Sequence, residues 1–138
     1  MAPLRLATWN VEWFNALFDS ADRLLADGEW SARYRVTRGA QADAIAHVLK
    51  AMDPDGVMIV EAPDSNLRRS TVRALQNFAA AYGLRCRAAV SGFANDTQQE
   101  IAFLFDPGRL RAEHAPRGGG AGELGQGPAP AFDRAVRI

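Results

Sequence analysis

A second cysteine is missing from this chain of 138 residues, so Cys86 can form no internal disulfide. An excess of either charge is missing too: 16 Lys and Arg balance 16 Asp and Glu, for a formal net charge of +0. Proteins that hold nucleic acid by its phosphates carry a basic excess or a basic stripe. Charge therefore gives nucleic-acid binding no support here, although nucleic acid stays among the candidate partners. The local basic clusters, Arg68-Arg69 with Arg73 and Arg85 with Arg87, are short, and the first reads as a solvated face. Lysine is nearly absent, Lys50 being the only one; with the abundance of Ala and Gly, this reflects genome composition rather than function. A long apolar run is also lacking near the start, because Arg5, Asn10 and Glu12 interrupt it. Neither a signal peptide nor a membrane span is expected, and the cytoplasm is the expected location.

What is present has the length of one ordinary domain and a normal soluble composition, 48% hydrophobic and 23% charged. A first strand is expected over Leu4 to Trp9. Leu17, Phe18, Ala21, Leu24 and Leu25 then recur at helical spacing, which predicts a helix from Asn15 to Asp27. A second helix is predicted from Thr37 to Met52, with Ala40, Ala44, Ile45, Val48, Leu49 and Met52 as its buried stripe. Asp53-Pro54-Asp55-Gly56 is a turn and a stop.

Val57 to Val60 is apolar on consecutive positions, as in a strand covered on both faces. A third helix follows, capped by Ser65 or Asn66, burying Leu67, Val72, Leu75, Phe78, Ala79 and Tyr82, and ending at Gly83. Leu84 to Val90 reads as a strand, Ser91 to Gln98 as a loop and Gln99 to Phe105 as another strand. Asp106-Pro107-Gly108 predicts a hairpin turn into Arg109 to His114. Gly and Pro dominate Pro116 to Pro130, a flexible loop, before a last strand begins near Phe132.

Two apolar strands that each end in one polar residue carry the chemistry: the first runs into Asn10, the second into Glu61. The helix between them predicts a parallel pair, which brings Asn10 and Glu61 to the same sheet edge. Open α/β sheets bind ligands beyond the carboxyl ends of their strands. An amide oxygen and a carboxylate converging there begin a hard-cation site, since magnesium takes oxygen ligands and keeps several waters. The competing reading makes Asn10 a turn residue and Glu61 one half of a loop salt bridge. A literal GxGxxG, made by Gly120, Gly122 and Gly125, lacks the flanking strand and helix of a dinucleotide site and reads as loop.

The words around the two residues narrow the choice. Leu6-Ala7-Thr8-Trp9-Asn10-Val11 resembles the opening motif of the endonuclease/exonuclease/phosphatase superfamily, which has the deoxyribonuclease I-like fold. Pro54-Asp55-Gly56-Val57-Met58-Ile59-Val60-Glu61 resembles its second motif, and Glu100 to Asp106 resembles a strand near the middle of its domain. The resemblance spans most of residues 4 to 110. It implies an α/β (α+β) fold of two stacked mixed sheets with outer helices. It also implies that Glu61 ligates Mg2+ (or Mn2+), that Asn10 orients metal and phosphate, and that both are catalytic. Arg38 matches an arginine of structural role. Glu12 and the Asp96 to Glu100 region lie where they could reach the site or shape substrate choice, and a surface role accounts for them equally.

The family's later motifs, a Gly-Asp-Xaa-Asn and a Ser-Asp-His, do not occur here. His47 and His114 stand in no matching context and read as structural or solvent-facing. The expectation is therefore a single unit over 1–138 that supplies the N-terminal half of such a domain. Its uncovered sheet would forgo about 25 cal/mol for each square ångström left bare. The expected function is metal-dependent hydrolysis of a phosphate ester, incomplete and inactive in this chain alone. The alternative is a non-catalytic remnant or interaction module that uses the exposed sheet, pairing with a C-terminal half or with itself.

Overall fold

In the computed structural model of the chain, residues 2–94, 100–116 and 134–137 are described. Four strands form one mixed sheet: β1 (Leu6–Asn10), β2 (Gly56–Ala62), β3 (Ala88–Ala94) and β4 (Glu100–Phe105), in the spatial order β1-β2-β4-β3. Two helices, α1 (Arg38–Met52) and α2 (Thr71–Tyr82), connect them. A small second sheet pairs β5 (Glu113–Pro116) with β6 (Arg134–Arg137). The architecture is mixed α/β, as expected. β1 and β2 are parallel, with Asn10 opposite Val60, and β4 runs antiparallel to both β2 and β3.

The pleat sorts side chains onto two faces. Val57, Ile59, Ala102 and Leu104 join Ile45 and Leu49 of α1 and Leu75 and Phe78 of α2 in the main core. Phe78 meets Phe14 edge-on, with ring centroids 5.1 Å apart. On the opposite face Phe103, Phe105 and Leu110 make a smaller cluster with Met58, Ala88, Val90 and Ala112. β2 is thus fully covered on one face only, since Met58 and Val60 are half-buried. Gly56 makes room for the Phe103 ring where β2 begins; a methyl group there would overlap the ring and force it to move.

Several expected elements form differently. The helix over Asn15 to Asp27 is a short 3-10 helix, Phe14–Leu17, followed by irregular chain. Polar side chains that compete with helical backbone bonds explain this. The Asp19 carboxylate accepts from the Ala21 and Arg23 amides. Asp22, in the left-handed region at φ 62 and 1% exposed, accepts from the Ser70 amide and from Arg73 Nε. The loop is thereby tied to the start of α2.

α2 starts later than predicted because Ser70, not Ser65 or Asn66, caps it by accepting from the Arg73 amide. Asn66 instead accepts from the Arg68 and Arg69 amides, a local turn that leaves Leu67 fully exposed rather than buried. Arg69 is not a solvated residue: its guanidinium donates to the Asn15 and Phe18 carbonyls. β3 begins at Ala88 and takes in Ser91 to Ala94, expected to be loop, while Leu84 to Arg87 form the connection. The turn at Asp106 forms, but the chain after it does not pair back onto β4; His114 pairs with Val136 instead. The GxGxxG glycines lie outside the described residues, as do most of the Gly/Pro stretch and Asp96, Gln98 and Gln99.

The buried stripe of α1 is rotated from the predicted one. Gln41, Ala42, Ile45, Ala46 and Leu49 are buried, whereas Ala40, Ala44 and Val48 are exposed. The helix has apolar residues around more of its circumference than the sheet covers.

Candidate functional site

Asn10 closes β1 and Glu61 lies at the end of β2, so parallel pairing brings both to one edge of the sheet. Asn10 Nδ2 donates to Glu61 Oε1 at 3.3 Å. β2 carries a bulge between Val60 and Ala62: Val60 pairs with Ile101 and Ala62 with Glu100, which leaves Glu61 as the extra residue. Its φ of 58 lies in the left-handed region, uncommon for a residue with a side chain. The bulge re-aims this carboxylate relative to the pleat, as bulges beside functional sites do.

Further polar groups gather at the same edge, and of these the sequence singled out neither Asn15 nor Asp64. Asn15 Nδ2 donates to Asp64 Oδ2 at 2.9 Å, and the Asp64 amide donates back to Asn15 Oδ1 at 3.1 Å. Glu100 opens β4 opposite Ala62 and is 7% exposed. Burial raises its carboxyl above the usual carboxylate range and the Asp64 charge adds to this, while the Ser65 amide, donating at 3.3 Å, opposes it. The sequence places Glu100 near the start of a strand, in a region that could shape substrate choice; its pairing register puts it at this edge. Nothing in the spacing of Asn15 and Asp64, 49 residues apart, announces their contact.

The other expected residues stand elsewhere. Glu12 is exposed, with Arg33 Nη1 3.8 Å from its Oε2. Arg38 forms a bidentate pair with Asp27, at 2.8 and 2.7 Å, which fastens the start of α1 to the preceding loop. His47 is exposed on α1, and His114 lies in β5.

A second charged cluster sits where β2 begins, away from Glu61. Arg85 Nη1 bridges Asp55 Oδ1 at 2.7 Å and Asp106 Oδ2 at 2.8 Å, and Arg109 Nε reaches Asp55 at 3.2 Å. The Arg5 amide donates to Asp55 at 2.8 Å, and this bond, with the Arg85 contact, holds the Asp55 carboxyl far below the usual range. Every carboxylate here is matched by a guanidinium or an amide, so the cluster works as a clasp between the ends of β1, β2 and β4. It also accounts for Arg85, which serves the fold rather than a polyanion.

A cleft of about 490 Å³ opens between β1 and α1, lined by polar Asn10, Glu12 and Arg33 as well as by apolar residues such as Trp9, Val36 and Val48. Gln41 lies in its lining, 5% exposed.

Among the described residues no three His, Cys, Asp or Glu side chains are grouped so as to hold a metal by themselves. Asn10 and Glu61 provide hard oxygen donors of the kind magnesium accepts when waters and substrate phosphate complete its shell. They fit that ion as a partial site and do not fit a soft metal. No helix among the described residues is long and apolar enough to cross a membrane. Comparison with family models, curated proteins and solved structures finds no match to the chain.

Proposed function

We propose that the chain carries the metal-binding corner of a magnesium-dependent phosphoesterase, of the endonuclease/exonuclease/phosphatase type that its motifs resemble. The observation that carries this reading is the meeting of Asn10 and Glu61, at 3.3 Å, on the carboxyl edge of two parallel strands. Glu61 would supply the anionic oxygen that holds Mg2+, or Mn2+ in its place, and Asn10 would orient that carboxylate and the bound phosphate. When bound, the ion supplies charge stabilisation for the phosphoryl oxygens. The hydrogen bond from Asn10 restricts the rotamers of Glu61 and so prepares it for one geometry. The left-handed backbone at Glu61 gives local support: strain of this kind concentrates at ligand sites, where the surrounding structure holds it. A phosphate ester is the proposed substrate class. With neither later family motif in the sequence, turnover is proposed only together with residues that supply them.

Magnesium titration calorimetry tests the proposal, run with and without bis(p-nitrophenyl) phosphate. Saturable binding that tightens with the phosphodiester, and that Glu61→Ala removes, is the expected result. Equal binding by Glu61→Ala would overturn it.

A second reading, association with another copy of the chain, draws on a different observation. β1 is the last strand at its end of the sheet, and Leu4 and Leu6 beside and within it are 45% and 50% exposed. An edge strand with apolar exposure is a template for pairing.

A further inference from the structure

Trp13 places a large side chain where the backbone favours none. Its φ of 63 lies in the left-handed region, where a side chain crowds its own backbone and glycine is at ease. Burial does little to offset this, since the residue is 54% exposed. The surrounding chain holds the conformation. The Phe14 amide donates to the Val11 carbonyl at 3.2 Å and the Ala16 amide to the Trp13 carbonyl at 3.1 Å, while Phe14 and Leu17 are sunk in the core.

The same segment is pinned to the end of β2 on either side of Trp13. The Val11 amide donates to the Val60 carbonyl at 3.0 Å and the Asn10 side chain to Glu61, and Asn15 is locked onto Asp64. Trp13 stands between these pins, so its Cα lies within about 11 Å of that of Asn10. Its neighbours face other ways: Glu12 lines the cleft beside α1 and meets Arg33, and Phe14 enters the core. Trp13 lines no part of that cleft. That leaves the indole on the side of the strand ends, where Glu61 and Asp64 stand.

A strained backbone under an exposed aromatic, beside a second strained residue at Glu61, marks a place where the protein meets a ligand. The indole offers a flat π face, whose favoured partner is another ring. We propose that Trp13 is a specificity-determining residue that stacks on a planar aromatic ring carried by the phosphate ester. This rests on the reading of Asn10 and Glu61 as the metal-binding corner: the ion holds the phosphate, and Trp13 selects among phosphodiesters by what is attached to it.

Diphenyl phosphate and dibutyl phosphate test this, since both are singly charged phosphodiesters of similar apolar bulk and only the first carries rings. With magnesium saturating, calorimetry should show the wild type binding diphenyl phosphate about tenfold more tightly than dibutyl phosphate. Trp13→Gly should bind the two esters equally and melt at or above the wild-type temperature, because glycine takes φ near +60 freely. Trp13→Phe keeps a ring and should keep most of the preference. A preference that survives in Trp13→Gly, or equal magnesium-dependent binding of both esters by the wild type, would overturn the role of Trp13 and leave the metal corner standing. A clear fall in the melting temperature of Trp13→Gly would also overturn it, by showing that the indole serves the fold. Absence of magnesium-dependent binding of either ester would overturn the metal corner and this role with it.

Discussion

Asn10 and Glu61 lie 51 residues apart in the chain and are joined by one hydrogen bond of 3.3 Å. The contact needs two things at once: a parallel pairing that aligns the strand ends, and a bulge that turns Glu61 out of the regular pleat. Neither alone would bring the amide to the carboxylate.

Removing the amide tests its part in the site. Asn10→Ala is expected to weaken magnesium binding about 10–100-fold, the usual cost of losing a group that orients a ligand. The melting temperature should stay close to wild type, because Asn10 is exposed. Calorimetry paired with thermal denaturation separates the two effects, and unchanged magnesium affinity would remove Asn10 from the site.

Backbone strain at Glu61 leads to an opposite pair of effects in one variant. Glycine adopts φ near +60 freely, whereas a side chain there costs about 1–2 kcal/mol. Glu61→Gly should therefore hold or raise the unfolding free energy while abolishing magnesium binding. Chemical denaturation reads the first effect. A clear loss of stability would mean that the carboxylate serves the fold.

Two carboxyl groups should oppose each other in the pH dependence of stability. Asp55 is depressed below its ordinary 3.8 by the Arg5 amide and by Arg85. Its contribution is complete above that value and is lost as the pH falls through its lower folded value. Glu100 is raised above its ordinary 4.5 by burial, so its folded state binds the proton more tightly and stability declines as the pH rises through that region. Thermal melts across pH should show Asp55→Asn lowering stability at neutral pH and flattening the acid limb. Glu100→Gln should raise stability at neutral pH, since its amide oxygen can still accept from Ser65. A rise in acid sensitivity for Asp55→Asn would contradict the assignment.

Self-association through the sheet edge has its own variant. Leu6→Lys puts a charge on the exposed end strand, the device by which natural edge strands avoid pairing. If β1 pairs with a second copy, sedimentation of the wild type should show a dimer at micromolar concentration and Leu6→Lys a monomer. A monomeric wild type would dismiss that reading.

Strands β1, β2 and β4 were legible in the sequence because their signal is local, whereas β3 lies later than the sequence suggests. Val57 to Val60 and Ile101 to Phe105 are apolar runs, each read as part of a strand, and both lie within strands. Their parallel and antiparallel pairing brings Asn10, Glu61 and Glu100 to one edge. The segment after Asn15 misled because helical spacing of Leu17, Phe18 and Leu24 says nothing of the bonds that Asp19 and Asp22 make. Asp22 finds its partners in Ser70 and Arg73, which sequence distance hides. The apolar stripe of α1 was real, but its covered part depends on where the sheet ends.

By itself the sequence determined an α/β chain with a helix close to 38–52, a later helix ending at Gly83 whose start it placed too early, a parallel strand pair, and polar residues at its carboxyl end. Hydrophobic periodicity and turn chemistry act over a few residues, so they can be read without knowing what lies nearby. Only the tertiary structure decided that Glu61 is the bulged residue, that Asn15 locks onto Asp64, and that Gln41 is buried and donates to the Glu12 carbonyl. Each of those facts joins groups 29 or more residues apart, or depends on which surface a neighbouring element leaves uncovered.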